Sequence, residues 1–263
     1  MGRKSLSQYF LKNEEAARKI AEAVVGIEEE TSSVLEIGGG SGILTEALYR
    51  CGAVLKTVEI DSRLAEGLRR RYATAGRVHI VNSDIFDIDL DALCGGKRIN
   101  LCGNIPYHIS GRILRWISEN HKYFAIVVLM VQEEVGRRVC GQPGVRDYGI
   151  LSIVLGIDFL NEYLFKVSAR EFSPSPKVDS SVIKLIHRER KLIEDKDREA
   201  FFLLVKKAFS KRRKKLYNSL DGFGGNDSSA VIDKIKAVGL DGNLRAEMLS
   251  VNDYINLFRE FQR

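Results

Sequence analysis

The sequence predicts an α/β fold, a parallel sheet covered on both sides, followed by a small C-terminal helical domain. Three observations predict it. Short apolar runs alternate with helical stretches over the first half of the chain. One run, Phe124–Val131, is uncharged and almost continuously apolar, as a strand buried on both faces must be. Past His187 the strand-like runs cease and apolar residues recur at helical spacing.

In order along the chain, residues 14–25 place acids in a first turn and apolar residues at helical intervals, and read as a helix. Ser33–Ile37 is a short strand running into Gly38-Gly39-Gly40-Ser41-Gly42, and residues 43–50 return to helical character. Val54–Ile60 is a second strand that ends in acid, with a helix over 62–73. Val78–Val81 is a third strand, entering Asn82-Ser83-Asp84. Arg98–Cys102 is a fourth, entering Gly103-Asn104-Ile105-Pro106-Tyr107, and 109–120 reads as helix. Later runs at 151–156 and 180–186 read as strands. Periodicity lapses into charge from His187 to about Asp197, which sets two domains, 1–187 and 188–263. In the second, Phe201, Leu204, Val205, Ala208 and Phe209 form one apolar helix face, and Val231, Ile235 and Val238 another.

The formal net charge is +6, and it is unevenly placed. From Arg188 onward there are 17 Lys/Arg and 12 Asp/Glu, so +5 of the +6 lies in the last 76 residues. A nearly neutral body with a basic appendage points to a polyanionic partner. No apolar run reaches the roughly 18–20 residues that span a bilayer, so a membrane protein is not expected. The start, Met1-Gly2-Arg3-Lys4, lacks the apolar stretch of a signal peptide, and Leu6 stands where a myristoylation motif needs Ser or Thr. The four cysteines (Cys51, Cys94, Cys102, Cys140) form no CxxC pair and read as free thiols of a reducing compartment. The four histidines show no ligand spacing, and no metal is expected.

Three strand-end sites, taken in order, suit an adenosyl ligand lying across the carboxyl ends of the strands. The glycine bend permits positive φ and close approach of a ligand to the backbone. Its Gly38-x-Gly40-x-Gly42 spacing is not the G-x-G-x-x-G that wraps a pyrophosphate, so a nicotinamide dehydrogenase is disfavoured. By itself the bend favours a nucleotide-like ligand, with a mere tight turn as the main alternative. Glu59, 21 residues after Gly38, can accept both ribose hydroxyls; a solvated strand-end acid is the alternative. Asp84 can accept from an adenine amine or cap a helix.

Asn104-Ile105-Pro106-Tyr107 is the most specific signal. Pro106 stiffens the turn. The Asn104 side-chain oxygen and the Ile105 carbonyl can both accept hydrogens from one amine, while Tyr107 offers a face on which a base can stack. An adenine amine is a poor nucleophile, its lone pair being delocalised into the ring. Accepting both its hydrogens favours a pyramidal nitrogen with the lone pair aimed at a sulfonium methyl. Positioning and preorganised acceptors then supply the rate, and no strong base is required. Phe172, opening the proline-rich Phe172–Ser180 loop, can close the other side of the base opposite Tyr107, or simply pack. Lys206–Lys215 holds seven basic residues in ten and no acid, either a solvated helix face or a phosphate-binding surface that positions RNA without reading it.

These residues resemble the KsgA-type rRNA adenine dimethyltransferases almost from end to end. The similarity covers Lys4–Leu11, Glu36–Gly42, Val58–Asp61, Asn104–Tyr107 with Ile109-Ser110, Asp147-Tyr148-Gly149 with Leu151-Ser152, Phe172–Ser180 and Ala208–Leu220. It implies a Rossmann-like S-adenosylmethionine-dependent methyltransferase domain with a small C-terminal helical domain. It also implies successive methyl transfer to N6 of two adjacent adenosines near the 3′ end of small-subunit rRNA. The related Erm methyltransferases act on large-subunit rRNA; Ala208–Leu220 is more similar to the small-subunit group. The resemblance carries S-adenosylmethionine contacts to Leu11, Gly38, Glu59, Asp84 and Asn104. With their neighbours, the cofactor candidates are Tyr9, Leu11, Gly38, Gly40, Glu59, Ile60, Asp84, Ile85 and Asn104. The catalytic candidates are Asn104, Ile105, Pro106, Tyr107 and Phe172, and the RNA-binding candidates Lys206, Lys207, Lys211, Arg212, Arg213, Lys214 and Lys215. Two positions depart from the family: Tyr9 replaces Asn or His, and Gly39 replaces Pro, which is expected only to loosen the loop.

The expected product of the cofactor is S-adenosylhomocysteine, and the expected partner small-subunit rRNA, within an immature subunit. A cytoplasmic monomer is the expectation, with a eukaryotic organelle left open. A ribosome-assembly factor without activity and a DNA adenine methyltransferase are the competing readings.

Overall fold

The computed structural model describes residues 9–26, 33–211 and 213–263. Lys4–Gln8 of the opening motif and the candidate cation Arg212 lie outside them. The chain divides into two compact units, Met1–Gly136 with Glu162–His187, and Arg137–Asn161 with Arg188–Arg263.

The first unit begins with β1 (Phe10–Leu11) and α1 (Glu14–Val25). Asn13 starts α1 by accepting from the Ala16 amide, and Glu14 and Glu15 complement the helix dipole. The alternation that follows is β2 (Ser33–Ile37), α2 (Ile43–Arg50), β3 (Val54–Glu59), α3 (Ser62–Arg71) and β4 (Val78–Asn82). It continues through α4 (Leu90–Cys94), β5 (Ile99–Asn104), α5 (Ser110–Glu119), β6 (Phe124–Gln132) and the start of α6 (Glu133–Val139). After the second unit's α7 (Ile150–Gly156) the chain returns through β7 (Phe159–Val167), β8 (Phe172–Ser173) and β9 (Ser180–His187).

Seven strands form one sheet in the order β4-β3-β2-β5-β6-β9-β7. The first five are mutually parallel, and β9 runs antiparallel to β6 with Met130 opposite Val182. The chain winds outward from β2 to β4 and then jumps back to β5 beside β2. That reversal opens a crevice at the carboxyl ends of β2 and β5, where open α/β sheets bind ligands. Helix α1 buries Ala17, Ile20, Ala21 and Val24 and packs on α2 and the sheet. A separate two-stranded pairing joins β1 to β8, with Leu11 opposite Phe172 and Phe10 opposite Ser173.

The second unit is helical: α7, α8 (Arg198–Ala208), α9 (Leu216–Leu220), α10 (Ser228–Ala237) and α11 (Val251–Phe261). Its core gathers Phe201, Leu204, Val205, Leu216, Val231, Ile235, Tyr254 and Phe258. Two expectations are corrected here. Residues 151–156 are helix, not strand: an unbroken apolar run does not distinguish the two, and Gly149 with Ser152 opens a helix whose Ile153 and Ile157, one turn apart, both enter this core. For the same reason Arg137–Asn161 belongs with the C-terminal helices, so the two-domain division at 187/188 captures one of three chain crossings. Strand β7 carries charge at Glu162 and Lys166, which hid it from apolar pattern reading. No helix among the described residues is long and apolar enough to cross a membrane.

Candidate active site

A cleft in the first unit is lined by Tyr9, Phe10, Gly38, Gly40, Glu59, Ile60, Asp84, Ile85, Asn104, Ile105, Pro106 and Tyr107, with Phe86 and Arg112 beside them. The glycine bend after β2, the acids after β3 and β4 and the turn after β5 therefore face one space, although the sequence spreads them over almost 70 positions.

The bend is fixed from two sides. The Gly38 amide donates to the Val58 carbonyl at 2.8 Å, and the Gly40 amide to Glu59 Oε2 at 2.9 Å. Gly38 has φ 73°, which a side chain would resist, and a Cβ there would meet no atom within 4 Å, so its backbone is open to the cleft. Gly39 has a different role from the one expected. A Cβ on it would fall 2.6 Å from Leu68 Cδ1 and from Thr57 Cγ2, so these side chains already fill the space and the loop is packed rather than loosened.

Glu59 is 3% exposed, and its second oxygen accepts the Asp61 amide at 2.9 Å. Each oxygen keeps lone-pair capacity toward the cleft, since a carboxylate accepts about four hydrogen bonds. Asp84 caps the short turn Ile85–Asp87 through Oδ1, which accepts the Phe86 amide at 3.1 Å. Ile60 is 54% exposed at the cleft wall, an apolar surface that an adenine ring would cover.

The Asn104–Tyr107 turn is anchored by the Ile105 amide, which donates to Met130 O at 3.0 Å, and by the Ile105 side chain, which is buried. Asn104 Nδ2 donates to Tyr9 O at 3.0 Å, which turns Oδ1 outward as an acceptor. Among the described residues no donor engages Asn104 Oδ1 or the Ile105 carbonyl. The Tyr107 hydroxyl lies 2.9 Å from Ser180 Oγ, and its ring centroid is 5.3 Å from that of Tyr9. Burial pushes the Tyr107 phenol above its ordinary range, so it stays neutral.

Two predicted residues point elsewhere. Phe172 is 2% exposed and Leu11 4%. They face each other across the β1–β8 pair, so their side chains share one face of the ribbon, and that face enters the core. Phe10, on the alternate face, reaches the cleft instead. The aromatic neighbour of Tyr107 is accordingly Tyr9 and not Phe172. Sequence reasoning missed Phe10, Phe86 and Arg112. The period-2 alternation of a strand could have found Phe10, whereas the Phe86–Arg112 pairing has no local signal.

In the second unit, Lys206 and Lys207 lie on α8 and the remaining described cations on the connector to α9. None of Lys206, Lys207, Lys211, Arg213, Lys214 and Lys215 pairs with a carboxylate among the described residues. Lys211 Nζ donates to Asn218 O at 3.0 Å, and Lys215 Nζ to Asn243 Oδ1. Cys51, Cys94, Cys102 and Cys140 are free thiols, and no metal-holding cluster occurs among the described residues.

Two solved structures share this fold over nearly the whole chain. A dimethyladenosine transferase from Plasmodium falciparum aligns with TM-score 0.81 at 25% identity, covering 96% of this chain and 97% of that one. The 23S rRNA methyltransferase ErmE aligns with TM-score 0.76 at 26% identity, covering 97% and 100%. The Ribosomal RNA small subunit methyltransferase A of Geobacter metallireducens is 38% identical over 262 residues, which is 98% of this chain and 94% of the relative. Fold and cleft thus define an S-adenosylmethionine-dependent methyltransferase. Residues 1–263 match the family description Ribosomal RNA adenine dimethylase, and the chain belongs to that family.

Proposed function

We propose that this enzyme transfers methyl groups to N6 of two adjacent adenosines near the 3′ end of small-subunit rRNA, giving N6,N6-dimethyladenosine during ribosome biogenesis. One observation carries the chemistry: the Asn104 amide is oriented by Tyr9 O, and among the described residues Oδ1 and the Ile105 carbonyl remain as two unengaged acceptors at one turn. The small-subunit assignment is supported by curated relatives of that name, aligned over 94% of their length at 36–38% identity.

The residues fit S-adenosylmethionine: open backbone at Gly38, a carboxylate at Glu59 for ribose hydroxyls, Asp84 and Ile85 for the adenine edge, and exposed Ile60 for its ring. When bound, the cofactor supplies an activated methyl group. Asn104 Oδ1 and the Ile105 carbonyl accept the two hydrogens of the target amine and hold its lone pair out of ring conjugation. As the amine becomes cationic those dipoles already point at it, which lowers the barrier without reorganisation. Tyr107, tethered by Ser180, offers a stacking face once the base has left its helix. The cations from Lys206 to Lys215 hold phosphates and position the RNA, which is recognised through its folded shape. The substrate is rRNA within an immature small subunit, and the enzyme acts as a monomer in the cytoplasm.

Tritiated-methyl incorporation into immature small subunits, naked rRNA and duplex DNA tests this reading. Label confined to small-subunit rRNA is expected; incorporation into DNA alone, or only into large-subunit rRNA, overturns it.

A further inference from the structure

The guanidinium carbon of Arg112 lies 3.6 Å from the centroid of the Phe86 ring. Both side chains line the cleft, and they arrive from different supports. Phe86 sits on the turn that follows β4, and Arg112 on the first turn of α5, just past the Asn-Ile-Pro-Tyr turn of β5. In the sheet β4 and β5 are separated by β3 and β2, about 14 Å at the usual strand spacing. Side chains that follow those two strands meet only by bridging the crevice between them.

The two halves of this bridge differ. Phe86 is braced from behind: Trp116 meets it edge-on, with centroids 6.3 Å apart, and Trp116 in turn packs on Phe124. Arg112 is exposed, and among the described residues no carboxylate pairs with it. Among the described residues, its contact with the Phe86 ring is the attachment that holds it across the cleft. A long, exposed side chain resting on a fixed aromatic surface can swing away without disturbing the fold.

We propose that Arg112 and Phe86 form a latch over the adenine end of the cofactor site, and that opening it limits the release of S-adenosylhomocysteine. The proposal rests on the reading of Asp84 and Ile85 as the adenine contacts, because Phe86 follows them directly. Two methyl groups on one amine require the cofactor to be exchanged between transfers, so a latch at this position governs whether the second transfer follows promptly. The alternative for an exposed guanidinium beside the catalytic turn is a phosphate of the RNA, and the test separates the two.

Trp116 is the chain's only tryptophan and touches Phe86, so its fluorescence reports on the latch directly. The full-length protein is loaded with S-adenosylhomocysteine, and release is followed by Trp116 fluorescence in stopped flow after dilution, with calorimetry giving the affinity. Arg112→Met keeps the apolar stem and removes the cation; Phe86→Leu keeps bulk and removes the ring. Each is expected to release the product about two- to fivefold faster, the range of an exposed cation–π contact, with rRNA affinity unchanged. Arg112→Lys should fall between. Release at the wild-type rate in Arg112→Met overturns the latch, and weakened rRNA binding with unchanged release assigns Arg112 to the phosphate instead. Absence of cofactor binding by the wild-type chain in calorimetry would instead remove the underlying site reading.

Discussion

The Tyr107 hydroxyl and Ser180 Oγ stand 2.9 Å apart, joining the Asn-Ile-Pro-Tyr turn to the end of the proline-rich loop across 73 positions of sequence. Ser180 is fully buried at the start of β9, so it is a fixed point against which Tyr107 is aimed. Ser180→Ala is expected to leave cofactor affinity unchanged and to lower kcat by about two- to tenfold, the worth of one such hydrogen bond. Single-turnover methylation with saturating cofactor measures it, and an unchanged kcat would remove Ser180 from the positioning of Tyr107.

Asn104→Ala removes one of the two acceptors and the donor that binds Tyr9 O. Loss of a preorganised transition-state interaction costs roughly 10²–10³ in kcat. The RNA Kd should stay within about twofold of wild type, because the cations proposed to hold phosphate lie in the other unit. Full activity in this variant would refute the mechanism.

Glu36 is completely buried beneath the glycine bend, and its Oε2 accepts from the Thr45 and Thr57 hydroxyls at 2.8 Å each. Burial pushes its carboxyl up to about 7 from an ordinary 4.5, against the lowering effect of those two hydroxyls. The folded state therefore holds this proton more tightly than the unfolded chain does. The stability it contributes is complete below about pH 4.5 and is lost as pH rises to about 7. Glu36→Gln keeps an acceptor for both threonines and has no proton to lose. Urea unfolding should show the variant gaining on wild type by about a few kcal/mol between pH 5 and pH 8. A difference independent of pH would mean that Glu36 does not titrate in this range.

The double substitution of Lys206 and Lys207 by Ala should weaken rRNA binding without affecting cofactor affinity. The slope of log K against log salt should fall by roughly 0.7–0.9 for each phosphate that is no longer neutralised. Filter binding over a salt series measures this; an unchanged slope would place the RNA on another surface.

What could be read from the sequence, and what could not, follows from the range of the interactions involved. Strands ending in Gly38, Glu59, Asp84 and Asn104 announce themselves locally, because backbone freedom, charge and proline stiffness act within a few residues. The orientation of Asn104 and the burial of Phe172 are decided by the β1–β8 pairing, between segments about 160 positions apart. No local pattern encodes that register. Residues 151–156 failed for a different reason: an uninterrupted apolar run satisfies both helix and strand periodicities, and only the presence of a helical core with room for Ile153 and Ile157 resolves it.

The filled space beside Gly39 has a bearing on how this protein can be altered. A Cβ at this position would fall 2.6 Å from both Leu68 Cδ1 and Thr57 Cγ2, so the proline that the family resemblance would place there meets two side chains already in its space. Any side chain grafted at position 39 therefore has to be accompanied by room made at both Leu68 and Thr57.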